Sequence, residues 1–201
     1  MATQARGTRT REALIRAAAE AVDGKGYHGA TLVAISKSAR VSMGALTFHF
    51  ASKGELAQAI VDKAAATTRE RTAQVTAGAS ASPLCAVEAL LQGLARLLDE
   101  DAVVRAASLL ARERPDIVPG WHSSWVPSLC QLLKAAEAAG ELRPDAPPPA
   151  VAGLVAHLLT AVEVHPRTAP AQERLVGAAS AMARLWPFVC HGIAASPACK
   201  T

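Results

Sequence analysis

Three pairings in this chain set a nucleophile near a base: Ser36 beside Lys37, Ser42 ahead of His49, and Cys130 with His157. None belongs to a constellation that supplies nucleophile, base and orienting group together, so no catalysis is expected. Gly24-Lys25-Gly26 lacks the spacing of a phosphate-cradling loop and the strand that should precede one. Neither HExxH nor a His pair at i, i+4 occurs. Cys85, Cys130, Cys190 and Cys199 are scattered, with no CxxC and no Cys/His ligand spacing. The sequence therefore predicts no metal and no cofactor. The thiols read as buried or incidental, with a redox switch as the alternative.

What the chain does offer is positive charge in one place. Residues 1–54 hold 8 basic side chains and 3 acidic ones, net +5, whereas the remainder holds 13 basic and 14 acidic, net −1. Such a concentration fits phosphates, and it coincides with the stretch Thr31 to Leu56. There Thr31 can cap a short helix whose Leu32, Ile35 and Ala39 repeat at spacings of three and four. Ala39-Arg40-Val41 makes a brief turn, and Ser42 can cap a second short helix from Met43 to about Phe48. Ser52 with Glu55 forms a capping box that opens a third, longer helix. Two short helices joined so closely make a helix-turn-helix, whose second helix can enter the major groove of DNA. Ser42, Met43, Gly44 and Thr47 are then candidates for base-edge and phosphate contacts, and Lys37, Arg40, His49 and Lys53 for phosphate alone. Gly44 would let the helix sit close to the groove. For His49 and Met43 the alternative is packing, since Val41, Leu46 and Phe50 already supply apolar anchors.

The segment VSMGALTFHFASKGEL resembles the DNA-binding signature of the TetR family of bacterial repressors. It has a turn Val, a Gly-x-Leu in the second helix, an aromatic-His-Phe end, and Ser-Lys-x-x-Leu opening the linker helix. ALIRAAAEAVDGKGYHGATLVAIS ahead of it is similar to the family's first helix, its Gly-Tyr turn and the start of its second. The likeness covers about residues 8 to 65. Thr47 departs from it, standing where the family usually has Tyr. Thr can bond a phosphate or touch a thymine methyl, but it lacks the ring.

Along the chain in order, Met1 to Gly7 shows no apolar period and reads as a mobile arm. From it Arg6, with Arg9 and Arg11 beyond, could reach phosphate or the minor groove, or simply be solvated. A first helix from about Thr8 to Lys25 carries Leu14, Ile15, Ala18 and Val22, with Gly24 and Gly26 ending it and Tyr27 plugging a small core. Lys53 to about Ala77 begins apolar and turns polar, as a connecting helix would. After a linker at 78–83, helices are expected from Leu84 to Leu98, stopped by Asp99-Glu100-Asp101, and from Val103 to Arg112. Another should be capped by Ser123 or Ser124 and close at Gly140. Two strongly apolar helices are expected at 151–163 and from about Pro170 to Trp186, where Pro187 kinks or ends the last, with a disordered tail from Ala194.

Beyond the helix-turn-helix, VVRAASLLARERP and WHSSWVPSLCQLLKAAEAAGEL resemble the γ-butyrolactone autoregulator receptors within the TetR family and their antibiotic-binding relatives. By spacing back from Gly140, Trp125 rather than Trp121 matches the Trp that faces the ligand there; plain core packing is the alternative. The resemblance implies a ligand site of Trp125, Leu91, Val104 and Leu129, and a dimer closed by the last two helices.

With 51% apolar residues and 3% aromatics, the chain has material for a core and a composition that argues all-α. No apolar run reaches the roughly 18–20 residues of a membrane span, and no signal core follows the N-terminal charges, so a cytoplasmic protein is expected. The expected organisation is a three-helix DNA-binding domain over 1–52 and a helical ligand-binding and dimerisation domain over 53–201. The expected function is a homodimeric repressor on a pseudo-palindromic double-stranded operator, released by a small apolar inducer. The alternative is a dimeric regulator that ignores ligands. On this reading Lys53→Ala weakens binding to all duplexes alike. It should also make the slope of log K against log salt shallower by about 0.9 for each phosphate no longer neutralised. A titration series in which affinity barely responds to salt would remove the idea.

Overall fold

The computed structural model describes residues 2–78, 82–116, 120–168 and 177–195, the side chains of 2–5 and 165–168 excepted. The described residues form nine helices: α1 Ala2–Gly29, α2 Leu32–Ser38, α3 Met43–His49, α4 Lys53–Ala77, α5 Pro83–Glu100, α6 Ala102–Glu113, α7 Val126–Ala138, α8 Pro148–Thr168 and α9 Ala178–Ile193. A 3-10 turn, Trp121–Ser124, precedes α7. The fold is all-α, as composition and periodicity require, and no helix among the described residues is long and apolar enough to cross a membrane. Packing divides the chain into two units, 1–67 with 101–121, and 68–100 with 122–201. These are units of packing; the expected division of function, between 52 and 53, falls at the start of α4.

In the first unit α1 buries Leu14, Ile15, Ala18 and Val22. It departs from expectation at its start, because the chain is helical from Ala2 rather than irregular to Gly7. Ala, Gln and Arg are good helix formers, no Pro or Gly interrupts 2–6, and Thr10 Oγ1 donates to the Arg6 carbonyl one turn back at 3.0 Å. The break comes at Gly26, whose φ of 72° and ψ of 171° are open to glycine and strained for other residues. α6 packs along α1, and Arg105 Nε donates to Asp23 Oδ2 at 2.8 Å.

In the second unit α5 packs against α7, α8 and α9, and α7 and α9 against α8. Ser82 caps α5, its Oγ accepting the Cys85 N–H at 3.1 Å. The acidic triplet does more than stop α5. Asp99 and Glu100 lie within the helix, and Asp101 caps α6, its Oδ1 accepting the Val103 N–H at 2.7 Å. The Asp99 carboxylate accepts the N–H groups of Ala178 and Ala179 at 2.6 and 2.9 Å, satisfying the first turn of α9.

Several boundaries differ from the sequence expectation. α7 starts at Val126 behind the 3-10 turn, with Trp125 at the cap position, so neither Ser123 nor Ser124 caps it. Its other end is as expected. Gly140 has φ +70°, and the Glu141 N–H reaches the Ala136 carbonyl at 2.9 Å in a Schellman arrangement. α8 begins three residues early, with Pro148 in its first turn, and continues through Pro166 to Thr168. The expected start of the last helix, 170–176, lies outside the described residues. α9 continues past Pro187 to Ile193, since a proline removes one helical hydrogen bond without preventing the next turn from packing. Ala194 bridges to Leu142, and the Ala195 N–H donates to the Glu141 carbonyl at 2.8 Å, so the tail is held through 195. Cys85, expected as a buried or incidental thiol, is disulfide-bonded, whereas Cys130 and Cys190 are free.

Removing the Asp99 carboxylate leaves two helix N–H groups without their acceptor, so Asp99→Ala should cost about 1–2 kcal/mol of stability, in the range of lost helix caps. Gly177→Ala should also destabilise, because φ is +68° there and a Cβ would lie 2.9 Å from Asp99 Oδ2. Urea titrations of both variants check this, and an Asp99→Ala midpoint equal to wild type would contradict it.

Candidate nucleic-acid interface

The helix-turn-helix is assembled by caps that the sequence announces. Thr31 Oγ1 accepts the Ala34 N–H at 3.2 Å and opens α2; Ser42 Oγ accepts the Ala45 N–H at 3.2 Å and opens α3. Between them α2 ends in a Schellman turn, with the Val41 N–H bonded to the Ser36 carbonyl at 3.0 Å. Arg40 takes the left-handed position there, φ 54°, where glycine is usual, at a cost of roughly 1 kcal/mol. The capping box at the start of α4 closes one residue early: Ser52 Oγ accepts the Glu55 N–H at 3.1 Å, and Glu55 Oε2 accepts from the Ala51 N–H at 2.9 Å.

α3 is anchored from beneath by Leu46 and Phe50, both buried. Gly44 and Thr47 lie off that phase, and Ser42 and Met43 are uncovered at the open start of the helix, so all four are exposed, as are Lys37 and Arg40 on α2 and the turn. An ideal Cβ on Gly44 would meet nothing within 4 Å, so the face is open over it. Met43 is 39% exposed, which places it outside the core. Thr47 Oγ1 donates back to the Met43 and Gly44 carbonyls, each at 3.1 Å, so its donor is engaged within the helix and its lone pairs and methyl remain for a ligand. His49 and Lys53 are half-buried.

Sequence reasoning missed Phe48, the most exposed large apolar side chain of this face at 85%. The signal was available. With Leu46 and Phe50 taken by the core, the residue midway between them must point away from it. Phe48 meets the His49 ring edge-on at 5.4 Å and stands beside Thr47, supplying a ring next to the position where the family Tyr is lacking.

Lys53 is positioned by a joint at the Gly26 break. The Tyr27 N–H donates to Glu113 Oε2 at 2.7 Å, and a Cβ on Gly26 would lie 3.0 Å from Glu113 Oε1. The Tyr27 ring receives Lys53 Nζ at 4.3 Å and the Arg114 guanidinium at 4.8 Å. Arg114 is held in turn by Asp116, at 3.0 Å from Nε and 2.7 Å from Nη2. Burial first, and the Arg114 charge second, hold the Lys53 ammonium below the ordinary lysine pKa.

The residues expected to line a ligand site are all buried. Leu91, Trp125 and Leu129 belong to the second unit, on α5, at the head of α7 and on α7; Val104 lies on α6 in the first. Beside Trp125 the His122 ring stands at 5.4 Å, with its Nε2 3.4 Å from Thr160 Oγ1 on α8. Trp121 is buried as well. On α8 and α9, Leu154, Leu185 and Phe188 are exposed, Phe188 at 78%.

Residues 14–60 match the family model of the bacterial regulatory proteins, tetR family. Over 194 residues the chain is 30% identical to the A-factor receptor protein of Streptomyces griseus, covering 95% of this chain and 67% of that one. The chain belongs to the TetR family. Among solved structures, a γ-butyrolactone receptor described as ArpA-like superposes with a TM-score of 0.76 at 31% identity, over 94% of this chain and 90% of the other. CprB from Streptomyces coelicolor, in complex with its operator sequence, gives 0.72 at 31% identity over the same shares. This TetR-family chain therefore falls with the autoregulator receptors, and it is a DNA-binding transcriptional regulator.

If Phe48 meets DNA, Phe48→Ala should leave the melting temperature nearly unchanged, since an exposed side chain contributes within about 0.5 kcal/mol. It should lower affinity for a selected duplex more than for an unrelated one. Equal affinity of variant and parent for the selected duplex would take Phe48 off the interface.

Proposed function

We propose that the protein is a cytoplasmic, non-enzymatic repressor that binds a pseudo-palindromic operator as a homodimer and leaves it when a mostly apolar small molecule occupies the C-terminal domain. In this reading residues 1–52 carry DNA binding and 53–201 ligand binding and dimerisation. Ser42, Met43, Gly44 and Thr47 meet base edges and phosphates, and Lys37, Arg40, His49 and Lys53 hold phosphates. The observation that carries it is the outer face of α3. Four exposed residues, Met43, Gly44, Thr47 and Phe48, lie on a helix locked from below by Leu46 and Phe50 and capped by the exposed Ser42, in a chain whose positive excess is confined to that region.

A single short helix reads few base pairs, and a two-fold dimer reading half-sites about 34–36 Å apart overcomes that limit. Leu154, Leu185 and Phe188 on α8 and α9 support such a dimer, because a large apolar side chain left in water gains by burial against a second copy. The inducer class follows from relatives described as receptors for A-factor and γ-butyrolactones. It is a γ-butyrolactone-like signal or, in the antibiotic-binding branch, an antibiotic. Trp125, with Leu91 and Leu129, would supply an apolar wall within the second unit. Release is a population shift. The ligand favours a conformation in which the paired α3 helices no longer match successive major grooves.

A second reading, a dimeric regulator that ignores ligands, is favoured by the complete burial of Trp125, Leu91 and Leu129, which fits an interior filled by its own side chains. Operator binding measured with and without γ-butyrolactones separates the two. Trp125→Phe should keep the fold and operator binding while weakening release at least tenfold. Trp125→Ala should in addition cost about 3–5 kcal/mol of stability. Ordinary release in both variants would remove Trp125 from the ligand wall.

A further inference from the structure

We propose that the first turns of α1 form a second DNA-contacting element, which sets Arg6 and Arg9 on backbone phosphates flanking the stretch that α3 reads. The inference rests on the proposed DNA binding and extends it to a surface outside the helix-turn-helix. Three observations carry it. The chain is helical from Ala2, so Arg6 and Arg9 are displayed by a helix rather than by a loose arm. Those turns run beside the end of α3: a Cβ on Gly7 would lie 4.0 Å from His49 Cε1, and the Arg11 guanidinium sits 5.2 Å over the Phe50 ring. Arg6 and Arg9 are exposed, and residues 1–11 contain three arginines and no acidic residue. Surplus cationic charge thus continues directly from the recognition face, and its complement is the phosphate backbone.

The helical start also decides which part of the duplex is met. An extended arm can follow the minor groove, but a helix with side chains is about 10–12 Å across and that groove only about 6 Å wide. α1 therefore lies against the backbone, and its contacts carry no base sequence.

The test uses the full-length protein with a duplex selected from a random pool and an unrelated duplex of equal length, titrated by fluorescence anisotropy across a range of salt. Arg6→Gln/Arg9→Gln should lower affinity for both duplexes by the same factor, with the melting temperature unchanged. The log–log salt slope should become shallower by about 0.9 for each arginine removed from a phosphate, roughly 3–4 for two arginines on each of two protomers. Thr8→Pro keeps both charges but breaks the helix ahead of residue 8, releasing Arg6 while Arg9 stays helical, and should reproduce about half of that decrease. An unchanged slope in the double glutamine variant overturns the proposal. So does a wild-type slope in Thr8→Pro, which would mean that a loose arm suffices, or a decrease confined to the selected duplex, which would mean base reading. Wild-type protein that binds neither duplex would instead sink the DNA-binding reading itself.

Discussion

The Tyr27–Glu113 hydrogen bond is the contact on which the geometry of the DNA-binding unit depends. It forms only because Gly26 breaks α1 at a positive φ and leaves the next N–H pointing at α6. The same turn buries the Tyr27 ring, and that ring then takes two cations, Lys53 from the start of α4 and Arg114 from the end of α6. One aromatic side chain so joins three helices of this unit. A cation over a ring is attracted more strongly as water is excluded, while burial and its neighbouring charge weaken Lys53's hold on its proton. Both effects follow from one placement.

Anchoring and display are divided along α3 by helical phase. Leu46 and Phe50, four residues apart, occupy the core side; everything midway between them faces out. A seven-residue helix would not be stable in isolation, so its side-chain cap at Ser42 and its two anchors must hold it. The outer face is left with polar and small residues, Thr47 with its hydroxyl donor engaged in the helix, and one large ring at Phe48. Display of that kind is unfavourable in water and favourable against a base edge or a sugar.

The second unit uses carboxylates to satisfy helix ends far apart in sequence. Asp99 at the end of α5 accepts from the first turn of α9, and Glu141 after α7 accepts the Leu84 N–H at the start of α5. Each bond fixes where a helix begins relative to another, which apolar packing alone does with less precision. The bridge between Leu142 and Ala194 ties the end of α9 to the same connector.

By itself the sequence determined the helix-turn-helix, its caps at Thr31, Ser42 and Ser52, the buried stripe of α1 and the glycine stop at Gly140. These depend on neighbours three or four residues away, and such local rules are written in order along the chain. It also placed the charge, since composition needs no fold to be counted. Tertiary structure alone decided that Asp99 serves α9 rather than merely ending α5, and that α6 packs on α1. It decided too that Lys53 rests on Tyr27 and that α9 survives Pro187. Those outcomes turn on partners up to 86 residues distant, as with Tyr27 and Glu113, and no periodicity encodes which distant carboxylate an N–H will find. Phe48 sits on the boundary. Its type was plain, but its exposure followed only once Leu46 and Phe50 had claimed the core.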